Sequence, residues 1–220
     1  VKDQDTANAL NSADAGAGKY QVDGSGGSNP EVPIRDSRLR LLTLEKLQAI
    51  MDPVEFHGRF PGGKNDTTGK IYKSDLDRAD FPTALELDSS VGDLSGLEYF
   101  SKVKKLTIYT STPTTLNLTG MDSLEEIIST GSTIEVIQGN APRLKKIILR
   151  NSHRVKKINV VNSSNIEQIT IEEDSNIPNH IECIAVPDNR VDTVKQNINL
   201  GNSPVKTTVY RSKVQATPCN

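Results

Sequence analysis

The chain has 220 residues, 26 of them basic and 28 acidic, and its net charge of −2 gives no overall field that would draw it to nucleic acid or an anionic membrane. Four Phe, five Tyr and no Trp argue against a thick globular core. No apolar run approaches the ~20 residues of a membrane helix, and the opening at Val1 leads us to expect a processed or trimmed start.

Residues 1–30 hold Gly, Ser, Ala, Asp and Asn with almost nothing to bury. Such a segment cannot offset its own ordering entropy, so a flexible spacer is expected there. Residues 31–80 change character and are expected to form a short helical N-terminal cap. Leu39, Leu42, Leu44, Leu47 and Ile50 make an imperfect amphipathic helix, with Asp36 or Ser37 as N-cap and Asp52–Pro53 as a stop. Gly58 to Gly69 is expected to be a loop, and "KSDLDRADF" a second helical turn.

From residue 81 to 189 a period takes over. The pattern L-x-x-L-x-L places its middle apolar residue at Leu85, Leu106, Ile127, Ile147, Ile169 and Ile184, at spacings of 21, 21, 20, 22 and 15. A second apolar beat falls between them at Leu116, Ile137 and Ile158, again 21 apart. A strand-like beat every ten or eleven residues is too short for a repeat of paired helices. It fits a coil with two short sides whose apolar residues point inward and which buries them only by stacking turn on turn. Residues 190–220 are left as a C-terminal cap and tail.

Two further columns share this register. Three residues beyond each strand's last apolar position stand Ser90, Ser111, Ser132, Ser152, Asp174 and Asn189, short polar side chains able to satisfy the backbone where the coil bends. Lys104–Lys105, Glu125–Glu126, Lys145–Lys146 and Glu167–Gln168 also hold one place in successive turns, as do Glu135 and Lys156 on the other side. Stacked at strand spacing these alternate in sign. Exposed pairs contribute only ~0–1 kcal/mol each, so we read them as solvated pairs that specify register.

Other chemistry is weak. Cys183 reads as a buried residue and Cys219 as one on a mobile end, with a bridge between them as the alternative; two cysteines are too few for a disulfide framework. "GRFPGGKN" has the glycine and lysine spacing of a phosphate-binding loop. Asn65 stands where that chemistry needs a Ser or Thr for Mg²⁺, so we read a plain loop. His57, His153 and His180 are scattered, and no zinc spacing or G-x-S-x-G occurs. "EEDSN" from Glu172 reads as a solvated turn before a Ca²⁺ loop. No cofactor or metal is expected.

The stretch from "PIRDSRLRLLTLEKL" through "VGDLSGLEYFSKVKKLTI" resembles the N-terminal cap and first repeats of internalin-like bacterial leucine-rich repeat proteins, with Leu94, Leu97, Val103, Leu106 and Ile108 at the pattern's apolar places. "IAVPDNRVDTVKQNI" is similar to the segment that closes the repeats in secreted Bacteroides-type relatives. Serine mostly stands where that family has asparagine after the strand. The resemblance implies an α/β repeat solenoid: a right-handed leucine-rich repeat coil of parallel strands between a helical N-terminal cap and a C-terminal cap. It also implies a secreted or lipid-anchored bacterial surface module without catalysis, whose only tie to a membrane would be a removed lipid anchor.

In such a coil the outward residues of the strands form columns. One would be Glu86, Thr107, Ile128, Ile148, Thr170 and Ala185, flanked by Asp88, Tyr109, Thr130, Arg150, Glu172 and Pro187. Exposed Ile128 and Ile148 beside Tyr109 and Arg150 have the makings of an interaction hot spot. We therefore expect a protein partner on Lys105, Thr107, Tyr109, Ile128, Thr130, Ile148, Arg150, Thr170 and Glu172, and no nucleic acid. Six strands would give a flat footprint of about 240 Å², well short of the ~800 Å² of a standard interface side. Glycan capture, with Tyr109, Glu86 and Asp88 as its only candidates, and a ligand-free spacer are the other readings.

Overall fold

A computed structural model describes residues 29–109, 113–172, 181–197, 208–211 and 219. Among these residues ten strands, β1 (Ala84–Leu87), β2 (Lys105–Tyr109), β3 (Thr115–Asn117), β4 (Glu126–Thr130), β5 (Val136–Gln138), β6 (Lys146–Arg150), β7 (Lys157–Asn159), β8 (Gln168–Glu172), β9 (Cys183–Val186) and β10 (Thr208–Arg211), form two parallel sheets, alternating between them from β2 to β9. One sheet runs β1-β2-β4-β6-β8, the other β10-β9-β7-β5-β3. Each turn is a long strand, a corner, a short strand and a second corner, and about four turns stack into a β-solenoid.

The period sets the register. Leu85, Leu106, Ile127, Ile147 and Ile169 are successive partners across the first sheet, and Leu116, Ile137 and Ile158 across the second. Except for Leu85 at 1%, all of these are fully shielded from water, and they belong to one continuous core. Burying an Ile or Leu of this kind stabilises by roughly 1.5–3 kcal/mol, so stacking is the coil's main source of stability.

Ile184 departs from the expectation. It lies on β9 opposite Ile158, in the second sheet, and so continues the Leu116 beat. The first sheet therefore has five strands, and Ala185 and Pro187 are not on its outer face. The 15-residue step before Ile184 already marked the break.

The coil has few helices. Within the described part of the coil the only helical piece is a 3-10 turn at Leu97–Tyr99. Corners of five residues, such as 131–135 between β4 and β5, cannot hold even two helical turns. Among the described residues, regular helices lie before β1 and after β9.

Before the coil, α1 (Ser37–Ile50) starts at Asp36, whose side chain accepts from the Leu39 amide at 2.7 Å. Leu39, Leu44 and Leu47 are buried, and Leu42 and Ile50 pack at the rim. The other Asp36 oxygen accepts from the amides of Gly92 and Asp93 at 2.8 and 3.0 Å, tying the helix to the first corner of the coil. Asp52–Pro53 ends α1 as expected but also begins α2 (Pro53–Arg59), with Asp52 capping the Val54 and Glu55 amides. The short α3 (Lys73–Leu76) is the expected second turn. After the coil, α4 (Val191–Asn197) contacts β8 and β10. No helix among the described residues is long and apolar enough to cross a membrane.

Of the described members of the polar column at the bend, Ser132 and Ser152 serve it as expected, Ser90 is exposed, and Asn189, which follows β9 in the second sheet, leaves the column. Ser132 and Ser152 are buried; the Ser132 hydroxyl pairs with that of Ser129 at 2.6 Å, and Ser152 donates to the Arg150 and Ser129 carbonyls at 3.1 and 3.2 Å. Ser111 and Asp174 lie outside the described residues. Ser129 occupies an inward place that Ile108, Leu149 and Ile171 fill in the other turns, and its fully buried hydroxyl is kept satisfied by this serine cluster.

A corner glycine supplies a direct test of the stacking. Gly120 has φ +86°, and a Cβ there would lie 2.1 Å from the Glu98 carbonyl oxygen of the preceding turn. Gly120→Ala is expected to destabilise by about 2–3 kcal/mol in chemical denaturation. Gly58→Ala, in α2 with open space around it, should be neutral or stabilising.

Cys183 and Cys219 form a disulfide across 36 residues, with their Cα atoms 5.6 Å apart. With Ala185 and Val161 they make a small cluster separate from the main core.

Candidate functional site

All nine candidate residues fall on the outer face of the first sheet, in three columns. Lys105 heads a row that continues through Glu126, Lys146 and Gln168. Thr107, Ile128, Ile148 and Thr170 make the middle row, and Tyr109, Thr130, Arg150 and Glu172 the third. The alternation of the strand places them so: their neighbours Leu106, Ile108, Ile127, Ile147 and Leu149 are inward and shielded.

The middle row is not the exposed apolar stripe expected of it. Ile148 is only 6% exposed, Thr107 4% and Thr170 7%, while Ile128 is half-buried. Neighbours in the same row stand one strand spacing away on either side, and the long side chains of the outer rows lie alongside. The Thr170 hydroxyl also accepts from the Gln168 side-chain Nε2 at 2.9 Å. The exposed surface of this face is therefore carried by the flanking rows.

In the third row Tyr109 is 43% exposed; it and Val54 are the only large apolar side chains exposed to that degree among the described residues. Arg150 donates to Glu172 at 2.7 Å, and this hydrogen bond raises the guanidinium pKa further. Both ends of the pair stay about half exposed, at 46%. Tyr109 thus stands at one end of a row that finishes in a plus–minus pair.

Parts of the expected charge ladder pair, in the first row and beside it. Lys105 pairs with Glu126 at 3.2 Å and Lys145 with Glu125 at 2.7 Å, and across the coil Lys156 pairs with Glu135 at 2.9 Å. Hydrogen bonds from Lys145 and Lys156 hold the Glu125 and Glu135 carboxyls below their ordinary range. A shallow groove of about 510 Å³ runs along this row between Glu125, Glu126, Lys145, Lys146, Glu167 and Gln168. Glu126, Lys146 and Gln168 belong to the face as fully as Lys105 does; the repeated charge of Glu126 and Lys146 in the text was the signal for the row.

Asp88 is not free to join. Arg38 of α1 reaches it with Nε at 2.7 Å and with a terminal nitrogen, and this holds its carboxyl below the usual range. Glu86 is exposed at the edge of the face. A hydrolytic pair of carboxylates would need one raised enough to donate a proton, which this arrangement does not supply at Asp88.

The glycine-rich loop shows why it cannot cradle phosphate. The amides of Gly62, Thr68 and Gly69 already point at one buried carboxylate, Asp66, at 2.9, 2.8 and 2.6 Å. Those bonds depress the Asp66 pKa to about 2. Arg40 closes the loop by donating to the Asp66 carbonyl at 2.9 Å and to that of Gly69, while Lys64 pairs with Glu45 at 2.9 Å. Because the folded-state pKa lies below the unfolded one, this contribution is complete above about pH 4 and is lost as pH falls toward 2. Asp66→Asn should therefore flatten the fall of Tm between pH 4 and pH 2 relative to the native chain.

No cluster of His, Cys, Asp and Glu suited to a metal ion occurs among the described residues. His180 and residues 173–176 of the "EEDSN" turn lie outside them, and Glu172 is engaged by Arg150. No family model matches the chain, and a search of curated proteins finds no match either.

Proposed function

We propose that the coil is a leucine-rich repeat module of the right-handed, capped kind, and that it binds a protein partner through the outer face of its first sheet without catalysing a reaction. The carrying observation is the concentration of exposed, pairing-capable side chains on that one face: Tyr109 with the Arg150–Glu172 pair, and the Lys105–Glu126–Lys146 row beside it. Tyr and Arg are the residue types that dominate interface energetics, and rows of both signs confer register on a partner.

The α1–α3 segment supports the capping part of this reading, because it covers the first turn and contributes Arg38 and Asp36 to it. The disulfide supports a secreted or cell-surface setting, since such bridges persist in oxidising compartments. Five strands at ~4.8 Å and ~10 Å of width give a flat footprint of about 190 Å². A partner of ordinary affinity must therefore also grip the corners.

The double variant Tyr109→Ala, Arg150→Ala tests the face. In pull-downs from bacterial and host surface extracts, partners retained by the native chain should be lost at least tenfold. Retention unchanged with the fold intact rejects this face.

A further inference from the structure

The coil is zipped on one side of its first turn and open on the other. On the long-strand side, Lys104 and Lys105 donate to the Thr83 carbonyl at 2.7 and 3.1 Å, which joins β1 to β2. On the short-strand side, β3 bonds only forward: the Thr114 carbonyl accepts from Val136 at 3.0 Å, and Leu118 donates to Gln138 at 2.7 Å. Alternation along the strand then turns the backbone N–H and C=O of Thr115 and Asn117 the other way. They face residues 92–96, and among the described residues no backbone–backbone hydrogen bond crosses that gap.

The first corner has no need of them. Its amides are taken by carboxylates instead: Gly92 and Asp93 donate to Asp36, Ser95 to Asp93 and Gly96 to Glu98, all within 2.8–3.0 Å. Between this corner and β3 lies a groove of about 540 Å³, walled by Asp93, Leu94 and Glu98 on one side and Thr115, Asn117 and Thr119 on the other. The residues lining it include two carboxylates and no cation, while Arg35, outside the lining, acts on Asp93.

We propose that this groove takes an extended, Lys- or Arg-bearing peptide segment of a partner, added as a strand along the open edge of β3. The unpaired main-chain groups of Thr115 and Asn117 supply a template for an incoming strand. The Asp93 and Glu98 carboxylates select its charge. This surface is on the second sheet, away from Tyr109 and Arg150, so its fate is independent of the face proposed above.

The probe is a fluorescein-labelled (Lys-Thr)5 peptide, followed by anisotropy with the full chain at low salt. Binding is expected, at least tenfold tighter than for (Glu-Thr)5 and at least tenfold tighter than for (Lys-Thr)5 N-methylated at alternate residues. Thr115→Pro removes one outward N–H without touching the β5 ladder and should weaken binding at least tenfold, whereas Tyr109→Ala should not change it. Should Thr115→Pro fail to fold, amide exchange on the native chain decides: saturating (Lys-Thr)5 must slow the Asn117 amide at least tenfold. Equal binding of the N-methylated peptide, or an unslowed Asn117 amide, overturns the proposal. So does sedimentation showing that the chain pairs with itself through this edge.

Discussion

Asp75→Ala is expected to cost about 3–5 kcal/mol, the loss typical of stranding one member of a buried ion pair. Asp75 is only 1% exposed, and its oxygens accept from Arg59 at 2.8 and 2.5 Å and from the Tyr72 amide at 2.8 Å. Arg59 is itself mostly covered, with its guanidinium over the rings of Phe60 and Tyr72 at 5.2 and 5.6 Å. Removing the carboxylate leaves that charge among aromatic rings, with the Lys70 carbonyl at 3.0 Å and Glu55 at 3.8 Å as remaining partners. The paired replacement Arg59→Met, Asp75→Leu should recover most of the loss, because no unpaired charge remains. Urea denaturation of the three chains measures both quantities; a single variant as stable as the native chain would show the pair to be idle.

Reducing the Cys183–Cys219 bridge is the second large effect. Closing a loop of 36 residues restricts the unfolded chain by about 3.5–4 kcal/mol on the chain-entropy account. For a chain of this size that corresponds to a fall in Tm of about 10 °C. The loss should be local, because each turn of a solenoid contacts only its neighbours. Hydrogen exchange should quicken at β9, which pairs with β10 on one side and β7 on the other. Amides of β2 and β4 should keep their protection. Equal loss along the whole coil would mean that the turns unfold as one unit.

How far these features could be read from the text depends on whether their cause is periodic. Leu106, Ile127 and Ile147 stack because equal spacing puts equal positions at equal heights, and the ladder of Lys105, Glu126 and Lys146 follows from the same rule. Ile184 was misplaced where the rule breaks: it follows Ile158 by 26 residues, and a longer connection after β8 carries the chain to the other sheet. The burial of Ile148 depends on how neighbouring side chains lean over it, and alternation alone says only which way it points. Asp66 gathers three amides from its own loop, a shape that the string of glycines permits but does not describe. The closure of Cys183 on Cys219 depends on where the chain's end returns, and no repeat specifies that.

The binding role assigned to the first sheet is tested most directly by a photo-crosslinking amino acid placed in turn at Thr130, on the outer face of that sheet, and at Gln138, on the outer face of the other. Exposed to the surface extracts and irradiated, the chain carrying it at Thr130 should yield a discrete adduct that competes away with unlabelled native chain, and the chain carrying it at Gln138 should yield none. Adducts at Gln138 alone, or at both positions without competition, would contradict the assignment.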